Sequence, residues 1–390
     1  MTGNRSMLTR RSGFMPLWRA RAAVTALFAL GGFVFAGWAV RIPAVAHRMH
    51  AAPGELGVAL LAMSVAAVAT MSAGGAICRR WGAARVAPAA GWMLSATVVL
   101  PPMATSVPQL AMALTVFGVA FGALDVAVNT VAVDLVTALD RPLMPALHAA
   151  NSLGSLAGAG VGAVLAANLS PVGHLLSVAP LGMVAASVAG WALTADPVPG
   201  AQPSPSGPVG AGSAGLVAMF GVIGLCAAFA QGGLDNWMPL HLRTDLGTTD
   251  GLAAAGYGIV QGAMTAGRLA GGALITAAGP GRVLLTGGVT ACFGTTIAAI
   301  TPWPWLALAG LALAGLGLAN LFPLAIGAAG SSGGASGVAV ATTLGYGGIL
   351  LAPPAIGFAA ESTGLASALL LVPVLVTGAT VIGYTLRRRL

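Results

Sequence analysis

Residues 75–85 read G-A-I-C-R-R-W-G-A-A-R, and residues 272–282 read G-A-L-I-T-A-A-G-P-G-R. Each stretch lies between two long apolar runs, and the second follows the first at an offset of 197 residues. The positions that match at this offset are Gly75, Gly82, Arg85 and Val86 with Gly272, Gly279, Arg282 and Val283. The repeat predicts two related halves with equivalent helix connections.

Apolar runs long enough to cross a membrane fill most of the chain. Of its 390 residues, 57% are hydrophobic and 7% are charged, whereas an average soluble domain carries about 25% charged residues. A membrane helix needs about 20 mostly apolar residues. We expect an all-α integral membrane protein of twelve transmembrane helices, arranged as two pseudo-symmetric six-helix bundles. The predicted spans lie near 22–44, 55–78, 86–105, 109–134, 144–169, 173–194, 213–239, 253–277, 283–301, 305–328, 337–360 and 365–386.

A connector rich in Pro, Gly and Ser separates the two halves. We predict an N-terminal bundle over 1–195, a cytoplasmic linker over 196–212 and a C-terminal bundle over 213–390. All 17 basic residues are Arg, and 13 of them fall on one side of the predicted membrane. The positive-inside rule therefore predicts a multi-pass protein with both termini in the cytoplasm. The 13 residues are Arg5, Arg10, Arg11, Arg19, Arg21, Arg79, Arg80, Arg85, Arg141, Arg282, Arg387, Arg388 and Arg389.

The charged and thiol residues exclude several classes of protein. Without Lys, the chain has no Walker A loop and no Schiff-base lysine. The net charge of +8 does not indicate nucleic-acid binding, because no face of the chain combines Arg with aromatic residues. The three Cys are too isolated in sequence for a disulfide framework or a metal site. We expect no metal and no cofactor. The lipid bilayer is an expected partner, and a monomer suffices.

The segment Gly75–Arg85 resembles the signature G-x-L-A-D-R-x-G-R-R of the major facilitator superfamily of transporters. In that superfamily the loop is a cytoplasmic gate, so the resemblance implies a gating role here. Arg79 replaces the signature's Asp, and Thr276 and Ala277 replace the Asp-Arg pair in the second copy, which argues against an acid-based latch. The matching gate positions are Gly75, Arg80 and Gly82, with Gly272 and Gly279 in the second copy.

Residues 122–129, G-A-L-D-V-A-V-N, resemble the fourth-helix motif G-x-L-E-x-x-x-N of the fucose-permease-like bacterial branch of that superfamily. In that branch the acid couples transport to protons, and it corresponds to Asp125 here. The branch's first-helix Asp has no counterpart, because residues 38–43 read W-A-V-R-I-P. The resemblance implies a proton-coupled transporter of the bacterial inner membrane and does not name its substrate.

Polar side chains inside the spans mark the candidate site, because they are costly there. Asp125 and His148 fall in the cytoplasmic halves of neighbouring spans. We interpret them as the proton-coupling residues, with His148 tuning or relaying; the alternative is a structural pair that holds the two helices together. The candidate substrate-binding residues are Trp38, Arg41, Asn129, Asn151, Gln231, Asp235, Gln261 and Asn320.

Three intramembrane residues keep two interpretations. Arg41 either attracts an anionic substrate group or snorkels to the outer interface, and Trp38 either lines the cavity or belongs to the interfacial aromatic belt. Arg268 either lines the cavity in a polar stripe with Gln261 or acts as a structural latch. Its predicted depth disfavours a direct pair with Asp235.

The expected function is secondary active transport of a small organic solute by alternating access, coupled to protons. Sugar-type import follows from the fucose-permease-like resemblance, and drug or metabolite efflux is equally allowed by a large apolar cavity with few charges, so both stay open. A polytopic membrane enzyme and a non-transporting sensor are the other candidates. The enzyme is disfavoured because the acids of the outer loops are dispersed.

Overall fold

The computed structural model describes residues 14–139, 143–166, 168–195, 198 and 211–387. Every regular element in these ranges is helical. The first half contains α1 (Phe14–Ala39), α2 (Ile42–Met49), α3 (Pro53–Trp81), α4 (Ala83–Thr97), α5 (Val107–Leu139), α6 (Met144–Ala166) and α7 (Pro171–Ala195). The second half contains α8 (Ala211–Thr244), α9 (Asp250–Ala278), α10 (Pro280–Ile300), α11 (Pro304–Leu318), α12 (Leu321–Thr363), α13 (Leu365–Ala368) and α14 (Leu371–Leu386).

These helices form twelve spans. The first span is α1 with α2, and a 3-10 turn at Pro101–Met103 extends α4. Gly334, with φ of +61°, breaks α12 into two parts. The first part of α12 completes the tenth span together with α11, and the second part, Ser336–Thr363, is the eleventh span. Eleven of these described spans are apolar enough to cross a membrane by composition; α9 has the length, at 29 residues, but is more polar. The predicted all-α fold of two six-helix bundles is confirmed.

The predicted linker falls mostly outside the described residues. The helix α7 ends at Ala195 and α8 begins at Ala211, and of 196–212 only residues 198, 211 and 212 are described. The proposed domain boundaries stay a prediction. Six arginines used for the orientation also lie outside the described residues, namely Arg5, Arg10, Arg11, Arg141, Arg388 and Arg389.

Single glycines connect equivalent helices in the two halves. Gly82 joins α3 to α4 and Gly279 joins α9 to α10, and both have φ of +82°. A side chain at this φ is strained, whereas glycine adopts it freely. The sequence repeat at offset 197 therefore corresponds to the same backbone turn made twice.

Two glycines also set equivalent helix crossings. Gly118 of α5 packs on the backbone of α3 at the Met63 carbonyl, and Gly315 of α11 packs on the backbone of α9 at the Val260 carbonyl. Gly118 and Gly315 are related by the offset of 197 residues, and so are Met63 and Val260. Small residues allow membrane helices to approach this closely, so the two bundles share their packing as well as their connections.

A glycine seam joins the halves at the end of the bundles opposite the termini. A Cβ atom at Gly57 of α3 would lie 2.8 Å from the carbonyl oxygen of Pro353 in the eleventh span, and Gly357 meets α3 in the same way. The Gly54 N–H donates to Glu361 Oε1 at 3.1 Å. The second contact between halves packs α6 against α9. These contacts close the assembly at this end.

Exposed tryptophans ring both ends of the bundle. Trp18, Trp81 and Trp191 lie at the end that carries the termini, and Trp303 and Trp305 lie at the other; each is at least 60% exposed. Amphipathic Trp rings favour membrane–water interfaces. The two groups mark the levels at which the protein meets the lipid headgroups.

Candidate functional site

A cavity of about 1050 Å³, its open mouth included, lies between the two halves. The helices α1, α3, α5 and α6 line it from one side, and α8, α9 and the second part of α12 line it from the other. The glycine seam closes the end of the cavity opposite the termini, whereas the exposed His148, near the start of α6, lies toward the end that carries the termini. The cavity therefore opens toward the end that carries the termini.

Four predicted substrate-binding residues line this cavity: Asn151, Gln231, Asp235 and Gln261. Gln261 Nε2 donates to Asp235 Oδ1 at 2.8 Å, and Gln231 lines the cavity one helical turn before Asp235. Asn151, on the opposite wall, donates to the carbonyl of Phe28 at 3.1 Å. The cavity thus has hydrogen-bonding amides on both halves and a carboxylate on one.

Arg268 lines the same cavity and also joins the halves. Its Nη1 donates to Ser152 Oγ of α6 at 2.9 Å. Arg268 and Asp235 line the same cavity, but they form no direct ion pair in the described part of the chain. Both interpretations of Arg268, cavity residue and latch, fit its contacts.

The polarity of α9 has a direct cause. Tyr257, Gln261 and Arg268 face the cavity at helical spacing, and Thr265 donates to the Gln261 carbonyl at 2.7 Å. Polar side chains in a membrane helix are tolerated where they face water or protein. This explains why α9 alone among the described spans is not apolar enough to cross a membrane by composition.

Trp38 and Arg41 lie inside the N-terminal bundle and do not line the cavity. Trp38 is 0% exposed and Arg41 is 1% exposed. Arg41 Nε donates to Nδ1 of His174 in α7 at 2.8 Å. The snorkelling interpretation of Arg41 and the aromatic-belt interpretation of Trp38 are both wrong, because neither side chain reaches the surface. Substrate contact by either residue has no support in this geometry.

Asn129 and Asn320 also bond within their own halves rather than lining the cavity. Asn129 Nδ2 donates to the Asp125 carbonyl at 2.8 Å, one helical turn away. Asn320 Nδ2 donates to the Gly267 carbonyl of α9 at 2.9 Å, at the break between α11 and α12. Both amides satisfy backbone carbonyls in the bundle, and Asn129 Nδ2 also donates to Asp125 Oδ1 at 3.4 Å. Their role in substrate binding stays a prediction.

Asp125 and His148 line a second cavity of about 450 Å³ that adjoins the first in the N-terminal half. The His148 ring makes an edge contact with Phe28, with centroids 5.1 Å apart. Tyr346 Oη, from the other half, donates to Asp125 Oδ2 at 3.4 Å. Among the described contacts no hydrogen bond joins Asp125 to His148. The structure brings the two residues to one space, and their role stays a prediction.

Sequence reasoning missed the partners of these groups: Tyr346, Ser152 and His174. Tyr346 carried a usable signal, because the chain has only three Tyr and this one falls within a predicted span. Ser152 and His174 could not be assigned, because each partners a residue more than 100 positions away in the sequence.

The predicted gating loops are shorter than expected. Gly75 and Arg80 belong to the last turns of α3, and Gly272 belongs to α9. Only Gly82 and Gly279 connect the helices. A gating role for these residues therefore concerns helix ends with a single-residue turn, and it stays a prediction.

Comparison with known proteins gives a consistent result. The family model of the Major Facilitator Superfamily matches residues 22–353. An uncharacterised MFS-type transporter of Yersinia pestis is 31% identical over 345 residues, which cover 87% of this chain and 89% of that protein. A bacterial homologue of the human lysosomal transporter Spinster, inward-facing and unoccupied, superposes with a TM-score of 0.75 at 13% identity, covering 96% of this chain and 97% of that one. The E. coli fucose:proton symporter FucP superposes with a TM-score of 0.64 at 15% identity, covering 97% and 99%.

The chain belongs to the major facilitator superfamily. It is a multi-pass membrane transporter, and the alternative of a membrane enzyme is wrong. The resemblance seen in the two motifs is confirmed for the superfamily, and the solved structures confirm the fold.

Proposed function

We propose that this chain is a proton-coupled secondary transporter that moves a small organic solute across the bacterial inner membrane by alternating access. Both termini lie in the cytoplasm in this proposal, so the open cavity faces the cytoplasm. The excess of Arg on that side supports the orientation. A cavity between two related bundles that is closed at one end supports alternating access.

Asp125 is the proton carrier in this proposal. The observation that carries the assignment is the hydrogen bond of 3.4 Å from Tyr346 of the opposite half to the Asp125 carboxylate. A hydrogen bond to an ionised carboxylate is stronger than one to a neutral acid. Protonation of Asp125 therefore weakens a contact between the halves, which links proton binding to their relative movement.

His148 connects Asp125 with the solvent. Its ring is exposed, and it lines the same small cavity as the carboxylate. Histidine is the side chain whose unperturbed titration falls closest to physiological pH. It is therefore suited to pass protons between the open side of the protein and Asp125.

The test uses full-length protein in liposomes with an internal pH dye, challenged with a pooled library of metabolites and drugs. We expect a solute-driven pH change that Asp125→Asn abolishes, because the amide cannot carry the proton. Asp134→Asn is the matched control, since it makes the same change on the same helix outside both cavities. With solute added outside, acidification of the lumen indicates symport and alkalinisation indicates antiport.

Two outcomes would contradict parts of this proposal. Solute uptake by the wild-type protein without a pH change would show a facilitator or another coupling ion. An unchanged pH signal in folded Asp125→Asn would leave proton coupling intact but would remove Asp125 from the proton path.

A further inference from the structure

The repeat makes two walls of the central cavity equivalent in backbone but opposite in chemistry. The helix α3 packs beside the eleventh span and α9 packs beside α6, so they stand at opposite edges of the cavity. At the offset of 197, three cavity-lining positions of α3 coincide with three of α9: Leu60 with Tyr257, Ser64 with Gln261, and Met71 with Arg268. The equivalent helix face therefore lines the cavity in both halves; it is nearly apolar on α3 and polar on α9.

The α3 wall suits an apolar group. Leu60, Met63, Ala67, Val68 and Met71 all line the cavity from one face of the helix. The two thioethers are flexible and polarizable, and they adapt to apolar groups of different shape. A ligand without an apolar part would leave this surface without a partner.

The α8–α9 wall holds two separated charges of opposite sign. Asp235, 7% exposed, takes its hydrogen bond from Gln261, and Arg268 donates to Ser152. Each charge thus has a neutral partner, and the two do not pair directly with each other. Charges in a cavity of low polarity attract an opposite charge strongly, whereas a ligand with one charge satisfies only one of them.

We propose that the central cavity binds a zwitterionic amphiphile, with its cationic group at Asp235, its anionic group at Arg268 and its apolar group against α3. Amino acids and short peptides with apolar side chains are ligands of this class. The inference deepens the proposed function and depends on it only for transport, because binding requires no proton coupling. A neutral polyol would leave the α3 wall unmatched, and a purely apolar compound would bury both charges without compensation.

Titration calorimetry on the purified full-length protein tests the ligand class. The zwitterionic probes are phenylalanine, leucine and leucyl-leucine. Phenylalaninamide lacks the anionic group, N-acetylphenylalanine lacks the cationic group, and glycine lacks the apolar group. We expect at least one zwitterionic probe to bind, and its relatives that lack one feature to bind about tenfold more weakly or worse. Fucose serves as the neutral polyol.

Variants assign each charge to its group. Asp235→Asn should remove the preference for phenylalanine over N-acetylphenylalanine, and Arg268→Gln should remove the preference over phenylalaninamide. The matched controls Asp245→Asn and Arg243→Gln make the same changes near the end of α8, outside the cavity, and should leave both preferences unchanged. Asp235→Glu and Arg268→Lys retain the charges and show whether a loss reflects charge or folding.

The inference is overturned if fucose binds more tightly than every zwitterion, if no zwitterionic probe binds, or if neither variant alters the preferences. These results leave the proposed function standing when another solute drives a pH change in liposomes. Conversely, zwitterions that bind without any solute-driven proton movement support the ligand class and contradict proton coupling.

Discussion

The two halves share their helix crossings and differ in their ionisable groups. The N-terminal half places Asp125 and His148 in a small cavity beside α1, whereas the C-terminal half places Asp235 and Arg268 on the wall of the central cavity. At the offset of 197, Asp125 corresponds to Phe322. The repeated glycines thus fix where the helices meet, whereas the side chains on equivalent helix faces can differ in polarity and charge. In our proposal this difference separates proton handling from recognition of the solute.

The buried Arg41–His174 pair is a polar contact inside the N-terminal half that lines neither cavity. His174→Leu leaves the buried guanidinium without its partner. We expect a loss of about 3–5 kcal/mol of stability, as for other broken buried polar pairs. Thermal unfolding of the detergent-solubilised protein measures the change.

The double variant Arg41→Met/His174→Leu replaces both buried polar side chains with apolar ones. It should recover most of the loss, since apolar residues of similar volume replace buried polar pairs at little cost. A double variant as unstable as the single one would mean that the N-terminal half depends on this pair for its packing.

The shared helix crossings provide a second test. Gly118→Val and Gly315→Val each force a side chain against a backbone carbonyl, and each should destabilise its half by about 1–3 kcal/mol. Gly272→Val is the matched control, because no atom lies near its added Cβ. Clearly unequal losses of thermal stability for Gly118 and Gly315 would show that the two crossings are not energetically equivalent.

The single-residue turns give the smallest expected effect. Gly82→Ala and Gly279→Ala place a side chain at φ of +82°, and each should cost about 1–2 kcal/mol. Both variants should lower the unfolding temperature to a similar extent. An effect confined to one half would show that the other turn relaxes to a different backbone conformation.

Much of the fold could be predicted from sequence because its signals are local. Apolar runs locate the spans, and glycines at a constant offset identify the repeat. Helical spacing also identified Gln261 and Asp235 as cavity residues, because polar groups on one face of a membrane helix avoid lipid. The break at Gly334 also had a local signal, because it falls in the stretch G-S-S-G-G-A-S-G at 330–337, between the predicted tenth and eleventh spans.

The sequence could not show which neighbour a helix face meets. Periodicity indicates that side chains share a face, but the face can meet the cavity or another helix of the same bundle. Trp38 and Arg41 pack inside their own bundle, and the hydrogen-bond partner of Arg41 is 133 residues away in the sequence. Tyr346 lies 221 residues from Asp125, so this contact between halves depends on tertiary structure.

The glycine seam at the closed end also has a kinetic consequence. At Gly57 and Gly357 the two halves touch through bare backbone, and no side chain at these positions inserts into the opposite half. Separating such surfaces requires no change of rotamer and no withdrawal of an interlocked group. In our proposal, opening this end requires breaking the Gly54–Glu361 hydrogen bond and also parting α6 from α9, but the seam itself adds no interlocked side chain to the activation barrier.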